Sequence, residues 1–262
     1  MDYLLFQGSR IFYNVSGKGK TIIFLHGFTE SMTIWDKFSR SLSKEFRVIT
    51  IDLPGHGKSE NVAKVHTMEL LAEVVFAVLK KCRVSKCLMV GHSMGGYTTL
   101  AFTKKYTKLL SGISIFHSHC FADSEEDKKN RTRIIKLVEK DKFGFVAAFI
   151  PGLFPDNVQK KFAKEIDQLI KQANTMTKEG VIAALEGMKV RKDQTQLLKT
   201  IELPVLFILG LKDSKSPVSQ LWEMISLPAH SEVLILRNTG HMGYIENPKE
   251  TLAAIRHFAL KT

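Results

Sequence analysis

The 262 residues are 44% hydrophobic, 24% charged and 9% aromatic, with 17 Gly and 7 Pro, a soluble globular composition that excludes disorder, collagen repeats and small disulfide scaffolds. Lys and Arg total 38 against 26 Asp and Glu, and the resulting +12 raises nucleic acid or acidic membrane surfaces as partners. No basic tract dominates, however. The densest run, Lys128, Lys129, Arg131, Arg133 and Lys136, follows Glu125, Glu126 and Asp127 and alternates with apolar residues at helical spacing. It reads as a solvated helix face, and nucleic-acid binding is not expected.

The opening MDYLLFQGSR lacks the basic and apolar regions of a secretory signal. No stretch approaches the ~18 uninterrupted apolar residues of a membrane-spanning helix, so a cytoplasmic location without a membrane span is the expectation. Cys82, Cys87 and Cys120 match neither a zinc ribbon nor a CxxC pair and read as reduced structural thiols.

Short β-branched and aromatic runs alternate with longer helical patterns, the signature of a parallel α/β sheet. Leu4 to Gln7 and Arg10 to Val15, separated by Gly8 and Ser9, predict an antiparallel hairpin ahead of it. There follow a strand at Thr21 to His26, a helix at Met32 to Ser43, a strand at Phe46 to Asp52 and a helix at Met68 to Cys82. Next come a strand at Lys86 to Gly91, a helix at Met94 to Lys105 and a strand at Gly112 to Phe116. The strands are near-continuous apolar runs, as in a sheet covered on both faces. From about 121 to 197 the pattern is helical throughout. Alternation resumes with Pro204 to Leu209 (strand), Ser219 to Ser226 (helix), Glu232 to Leu236 (strand) and a closing helix at Pro248 to Leu260, where Pro holds the favoured first helical position. The expected architecture is a core of residues 1–119 and 198–262 interrupted by a helical cap at 120–197.

Gly91-His92-Ser93-Met94-Gly95 fits G-x-S-x-G with an apolar strand ahead and a helix behind. A serine squeezed between strand end and helix start adopts a strained turn that raises its hydroxyl above the sheet, whereas a plain glycine-rich turn would use the serine as a cap. The hydroxyl needs a base, and the base needs a third group to hold its tautomer. In an open α/β sheet these come from loops at the carboxyl ends of later strands. Asp213 and His241 occupy two such loops, and the order Ser93, Asp213, His241 suits a Ser-Asp-His set. His26-Gly27-Phe28 enters the same crevice, where the N–H of Phe28 can join that of Met94 as an oxyanion hole while His26 supports the loop.

With these residues assembled, the chain resembles the α/β-hydrolase superfamily through HGF (26–28), DLPGHGKS (52–59), GHSMGG (91–96), GLKDSKSP (210–217) and GHMGYIENP (240–248). It is similar above all to small capped serine hydrolases acting on esters and lactones, to the MenH-like enzymes and to meta-cleavage C–C bond hydrolases. The resemblance implies Ser93 as nucleophile, His241 as base and acid, Asp213 as orienting acid, and the Phe28 and Met94 amides as oxyanion hole. It implies a small ester or related carbonyl substrate and no cofactor. Relatives with dehalogenase or epoxide-hydrolase activity carry an aspartate where Ser93 stands, which disfavours those reactions.

Several residues are expected around the substrate: His26, His92, His117, His119, Phe143, Phe149 and Met242. Among the cap aromatics Phe143, Phe145, Phe149, Phe154 and Phe162, helical spacing assigns most to cap packing. A metal site at His117, His119 and Asp123 lacks a clear third and fourth ligand, and none is expected. Gly55-His56-Gly57-Lys58-Ser59 fails as a P-loop because Asp52 stands where its first glycine belongs. Two rivals stay open: a hydrolase-fold ligand receptor, and C–C bond or elimination chemistry on a dicarboxylate, for which Arg131, Arg133 or Arg191 would have to reach inward.

Overall fold

A computed structural model describes residues 1–216 and 218–262, the side chains of 218–220 excepted. Pro217, which closes the 210–217 motif, lies outside the described residues. The chain opens with the expected hairpin, in which β1 (Asp2–Phe6) turns through Gln7 and Gly8, both at positive φ, into β2 (Ser9–Ser16). A two-residue turn of this handedness matches the twist of the strands it joins.

There follow β3 (Thr21–Leu25), α1 (Asp36–Leu42), β4 (Arg47–Ile51), α2 (Met68–Lys81), β5 (Cys87–His92), α3 (Met94–Tyr106) and β6 (Leu110–Phe116). Between Phe116 and Val205 the described residues form no strand; they carry α4 (Glu125–Lys140), α5 (Lys142–Phe149), α6 (Ala163–Asn174), α7 (Lys178–Lys189) and α8 (Thr195–Thr200). The chain closes with β7 (Val205–Gly210), α9 (Val218–Ile225), β8 (Ser231–Leu236), α10 (Gly243–Glu246) and α11 (Pro248–Lys261).

The eight strands form one sheet in the order β1-β2-β4-β3-β5-β6-β7-β8. β2 pairs antiparallel with β1 and β4, and every other pairing is parallel. β3, β5 and β7 are buried along their whole length. Successive residues feed opposite layers: Ile23 and Leu25 pack with Leu71, Val75 and Val78 of α2, whereas Ile22 and Phe24 pack with Phe38 of α1 and Phe258 of α11. Strand order reverses around β3, which lies between β4 and β5, and this switch opens a crevice at the carboxyl ends of the parallel strands.

Local chemistry sets the helix starts. Thr67 accepts the Leu70 N–H at 3.1 Å to cap α2, and Ser124 and Asp127 form a reciprocal capping box on α4. The predicted helix at Met32 to Ser43 is split, with a 3-10 turn at Met32–Trp35 before α1. The reason is tertiary: buried Asp52 takes the Met32 N–H at 2.7 Å, and Ser31 caps the Thr33 N–H. β6 begins at Leu110, two residues before its predicted start, because Leu110 pairs with Cys87 across a register shift.

Candidate active site

The elbow joins β5 to α3. A Cβ on Gly91 would collide with the Gly95 carbonyl, and one on Gly95 would lie 2.5 Å from the Leu25 carbonyl oxygen, so only glycines let strand and helix approach this closely. Ser93 sits between them at φ +50°, a region costly for a side-chain-bearing residue. Hydrogen bonds hold it there: its N–H donates to the Phe116 carbonyl at 2.9 Å, and the Ser118 hydroxyl donates to the Ser93 carbonyl at 2.8 Å. The Ser93 side chain makes no capping bond to α3, so the plain capping-turn alternative does not describe it.

Instead, Ser93 Oγ lies 2.9 Å from His241 Nε2, and His241 Nδ1 lies 2.8 and 3.0 Å from the two Asp213 oxygens. Residues from three loops, at the ends of β5, β7 and β8, thus meet at one edge of the sheet. The Asp213 carboxylate also accepts the Lys215 N–H at 2.8 Å, the Ser216 N–H at 3.2 Å and His117 Nδ1–H at 3.2 Å. Burial alone would push this carboxyl up, but the His241 and His117 rings and their hydrogen bonds outweigh it and hold it well below the ordinary carboxylate range. It is therefore an anion that accepts from Nδ1–H, which leaves His241 Nε2 free to accept from the Ser93 hydroxyl. The Phe28 and Met94 N–H groups make no hydrogen bond to another protein group among the described residues.

Ser93 and His241 open into a cavity of about 410 Å³. Its apolar side is Phe28, Phe145, Phe149, Ile134, Leu185 and Met188; its polar side is Tyr97, His119, Asp123, Arg131 and Arg191. Phe149 packs edge-on to Phe28 with ring centroids 5.6 Å apart and stacks on Phe145 at 5.3 Å. Arg131 and Arg191 both pair with the buried Asp123 carboxylate, and the Arg191 guanidinium lies 4.2 Å from the centre of the Tyr97 ring. His119 is pushed down to about 3 by burial and by the nearby Arg191 charge; its Nε2 is 3.1 Å from the Tyr97 hydroxyl.

The expected pocket set divides. Phe149 and His119 line the cavity, but His26, His92, His117, Met242 and Phe143 do not. His26 is fully buried, donates Nδ1–H to the Gly27 carbonyl at 2.7 Å and accepts the Leu53 N–H at 2.9 Å, so both ring nitrogens serve the loop. His92 is fully buried beneath Ser93 and His241, and Met242 is part of the core under them. Strict alternation would aim His117 and His119 the same way. The positive φ of His117 (46°) breaks that alternation and turns its ring to Asp213. Phe143 is 60% exposed, because two residues of helix separate it from Phe145 by more than half a turn. Phe154 and Phe162 pack on each other away from the cavity. Of the cap arginines, Arg131 and Arg191 reach inward, whereas exposed Arg133 only bonds Asn130.

Glu30, Tyr244 and Tyr97 carry the site without having been marked in the sequence. In the sequence Glu30 is distinguished only as the one acid between Thr21 and Asp36. No metal cluster forms at His117, His119 and Asp123, whose side chains have different partners. His117, Asp213 and His241 bring donor atoms within 4.8 Å of one another, but these atoms are already spent on the two Nδ1–H bonds to Asp213. All three cysteines are free; burial pushes Cys87 up to about 12 and Cys120 up to about 11, so neither supplies a thiolate.

The chain belongs to the α/β-hydrolase family: the alpha/beta hydrolase fold matches residues 20–248. A thermophilic esterase from Thermogutta terrifontis, solved with malate bound, superposes with a TM-score of 0.92 at 31% identity, covering 97% of this chain and 94% of that one. The enol-lactonase of Burkholderia xenovorans shares the fold, with a TM-score of 0.91 at 21% identity over 100% of each chain. A 2-hydroxy-6-oxononadienedioate/2-hydroxy-6-oxononatrienedioate hydrolase of Paraburkholderia phymatum is 25% identical over 262 residues, 91% of this chain and 86% of its own length. This protein is accordingly a hydrolase, with an eight-stranded, mostly parallel sheet and no helix among the described residues long and apolar enough to cross a membrane.

Proposed function

We propose that the protein hydrolyses a carboxylic ester, or a related lactone or thioester, of a small substrate through an acyl-enzyme on Ser93. One observation carries the reading: the unbroken chain from Ser93 Oγ to His241 Nε2 (2.9 Å) and from Nδ1 to Asp213 (2.8 Å), at the mouth of a cavity with one apolar and one polar side. His241 takes the hydroxyl proton as Oγ attacks the carbonyl and returns it to the leaving alcohol, while Asp213 fixes the ring's tautomer and faces the imidazolium. The unspent N–H groups of Phe28 and Met94 receive the tetrahedral oxyanion, each donor contributing about 3 kcal/mol to the transition state. Water then attacks the acyl-enzyme by the reverse proton path. Residues 120–197 act as the cap, α4, α5 and α7 supplying Ile134, Phe145, Phe149, Leu185 and Met188 to the roof.

Fluorophosphonate labelling combined with p-nitrophenyl esters of graded acyl length tests this. Wild-type protein should label and turn over repeatedly, and Ser93→Ala should do neither. A single burst with a stable adduct would instead favour a receptor.

A second reading rests on the charges at the cavity wall, where Arg131, Arg191 and Lys215 face the carboxylates of Asp123 and Asp127 and leave one surplus positive charge. That surplus suits an anionic substrate, as in C–C bond or MenH-like chemistry. Activity on a dienoate with failure of simple esters would select it.

A further inference from the structure

Beneath the triad residues, two side chains that the proposed reaction does not use form a charged pair. His92 is 0% and Glu30 2% exposed. His92 Nδ1 lies 3.0 Å from Glu30 Oε2, and His92 Nε2 lies 2.9 Å from the main-chain oxygen of His241. A carbonyl can only accept, so Nε2 carries a proton. Glu30 meanwhile receives the Gly27 N–H on Oε2 at 2.5 Å and the Tyr244 hydroxyl on Oε1 at 3.0 Å, which is the surrounding of a carboxylate. Facing a carboxylate, Nδ1 carries a proton too, and the ring is an imidazolium.

Apart from the Tyr244 bond, which anchors Glu30, the contacts of this pair end on different parts of the catalytic apparatus. Glu30 grips the Gly27 peptide, one residue before the Phe28 donor; His92 adjoins Ser93 in the chain; and the His92 Nε2–H holds the backbone from which the His241 side chain springs. The fit at Gly27 is close, since a Cβ there would stand 2.8 Å from Glu30 Oε2 and 2.9 Å from His92 Nδ1. We propose that Glu30 and His92 are positioning residues, a buried carboxylate–imidazolium strut that fixes the separation between the Phe28 N–H, Ser93 and the His241 ring. This rests on the acyl-enzyme reading given above.

The groups that face His92 are Glu30, the His241 and His117 rings at 5.1 and 6.1 Å, Tyr244 at 5.2 Å, and the apolar rings of Trp35 and Phe116. Asp213 contributes at longer range, and neutral His26 borders Glu30. Burial pushes His92 down, but the Glu30 charge and the hydrogen bonds carry it above the ordinary histidine range; burial pushes Glu30 up, and the His92 charge carries it below its own. When His92 loses its second proton at high pH, one of its two acceptors loses its donor.

The test uses the full-length protein labelled with 15N at histidine, and p-nitrophenyl acetate as substrate. In the wild type, His92 should show two ring N–H resonances at pH 7, and the alkaline fall in kcat should share its midpoint with the loss of the second resonance. Glu30→Gln, which keeps the shape and removes the charge, should leave one ring proton, lower kcat by about 10- to 100-fold and leave KM within about threefold, as expected for a misplaced reacting geometry. Glu30→Asp should recover part of the loss, and the Glu30→Gln/His92→Gln double variant should be no worse than Glu30→Gln. A neutral His92 in the wild type, an unlinked alkaline limb, or Glu30→Gln with unchanged kcat overturns the proposal. If Glu30→Gln does not fold, the two wild-type measurements still decide. Failure of the acyl-enzyme reading would appear separately, as a wild type that neither labels with fluorophosphonate nor turns over esters.

Discussion

Acid should destabilise this protein well above the pH at which carboxylates titrate, and buried neutral histidines are the reason. His26, His66 and His117 are pushed down to about 4, and His56 and His119 to about 3, with burial the main cause in each. In the unfolded chain all five return to about 6.5. Between pH 6.5 and 4 the unfolded state therefore binds more protons than the folded one, so the stability these groups contribute is fully present above 6.5 and is lost as the pH falls. From pH 7.5 to 5.5 each loses about 1.3 kcal/mol, or roughly 6 to 7 kcal/mol for the five. His92 is raised instead and works in the opposite sense, offsetting part of this loss. Asp52 and Glu246, raised by burial, oppose the loss further down the scale. The net is a loss of several kcal/mol, comparable to the low end of the about 5–15 kcal/mol that holds an ordinary domain folded. Urea melts at pH 7.5 and 5.5 measure it, provided the m-value is the same at both. A loss under about 1 kcal/mol, or a gain, would refute the assignment of these rings as buried and neutral. Replacing His66 by Gln should reduce the pH slope by up to about one proton, because it removes one of the five titrating rings.

Ser93→Ala should abolish turnover and fluorophosphonate labelling while shifting Tm by no more than a few degrees, since it leaves the main-chain bonds of the elbow in place; residual turnover at the wild-type rate would move the nucleophile elsewhere. Asp213→Asn should lower kcat by up to about 10⁴-fold, because an amide that donates to Nδ1 selects the wrong tautomer; stopped assays with a short-chain ester read this directly. Arg191→Met removes one of the two guanidinium groups at the cavity wall, and kcat/KM for a hemisuccinate ester should fall about tenfold or more relative to the matching butyrate ester, a difference of about 1.4 kcal/mol. An unchanged ratio would remove the anionic-substrate reading.

The alternation of apolar runs and helical patterns placed all eight strands because a sheet covered on both faces writes its burial directly into composition, as in the wholly buried β3, β5 and β7. Ser93, Asp213 and His241 were legible because glycine spacing and strand ends are local features. The pocket was less so. His92 and Met242 adjoin residues that open on the cavity and His117 stands two before one, and in the chain they look equally eligible; only the packing sends them downward. His117 is the sharpest case, since one left-handed φ reverses where its ring goes, and no residue-level pattern announces that angle. Glu30 and Tyr244 meet across 214 positions of sequence, a pairing that becomes visible only when β3 and α10 are laid side by side.

Three non-glycine residues with positive φ, Thr29, Ser93 and His117, stand at the carboxyl ends of β3, β5 and β6, neighbouring strands around the crevice. Each conformation costs on the order of 1–3 kcal/mol and persists only where the surroundings over-determine it. Here they do: the Thr29 hydroxyl donates to the Phe28 carbonyl at 2.6 Å, the Ser93 N–H to Phe116 and the His117 N–H to the Ile208 carbonyl, both at 2.9 Å. The last two bonds run from one strand end to the next, so the strain at β5 is held by β6 and the strain at β6 by β7. Ser93 and His117 thus each lean on the next strand, and loosening His117, which bonds Asp213 and follows Phe116, would reach Asp213 and Ser93 together. The strain is tolerable because the strands beneath, β3, β5 and β6, are buried except at Ser111, so Ser93 stands over the most buried part of the sheet and not over its exposed β1 or β8 edges.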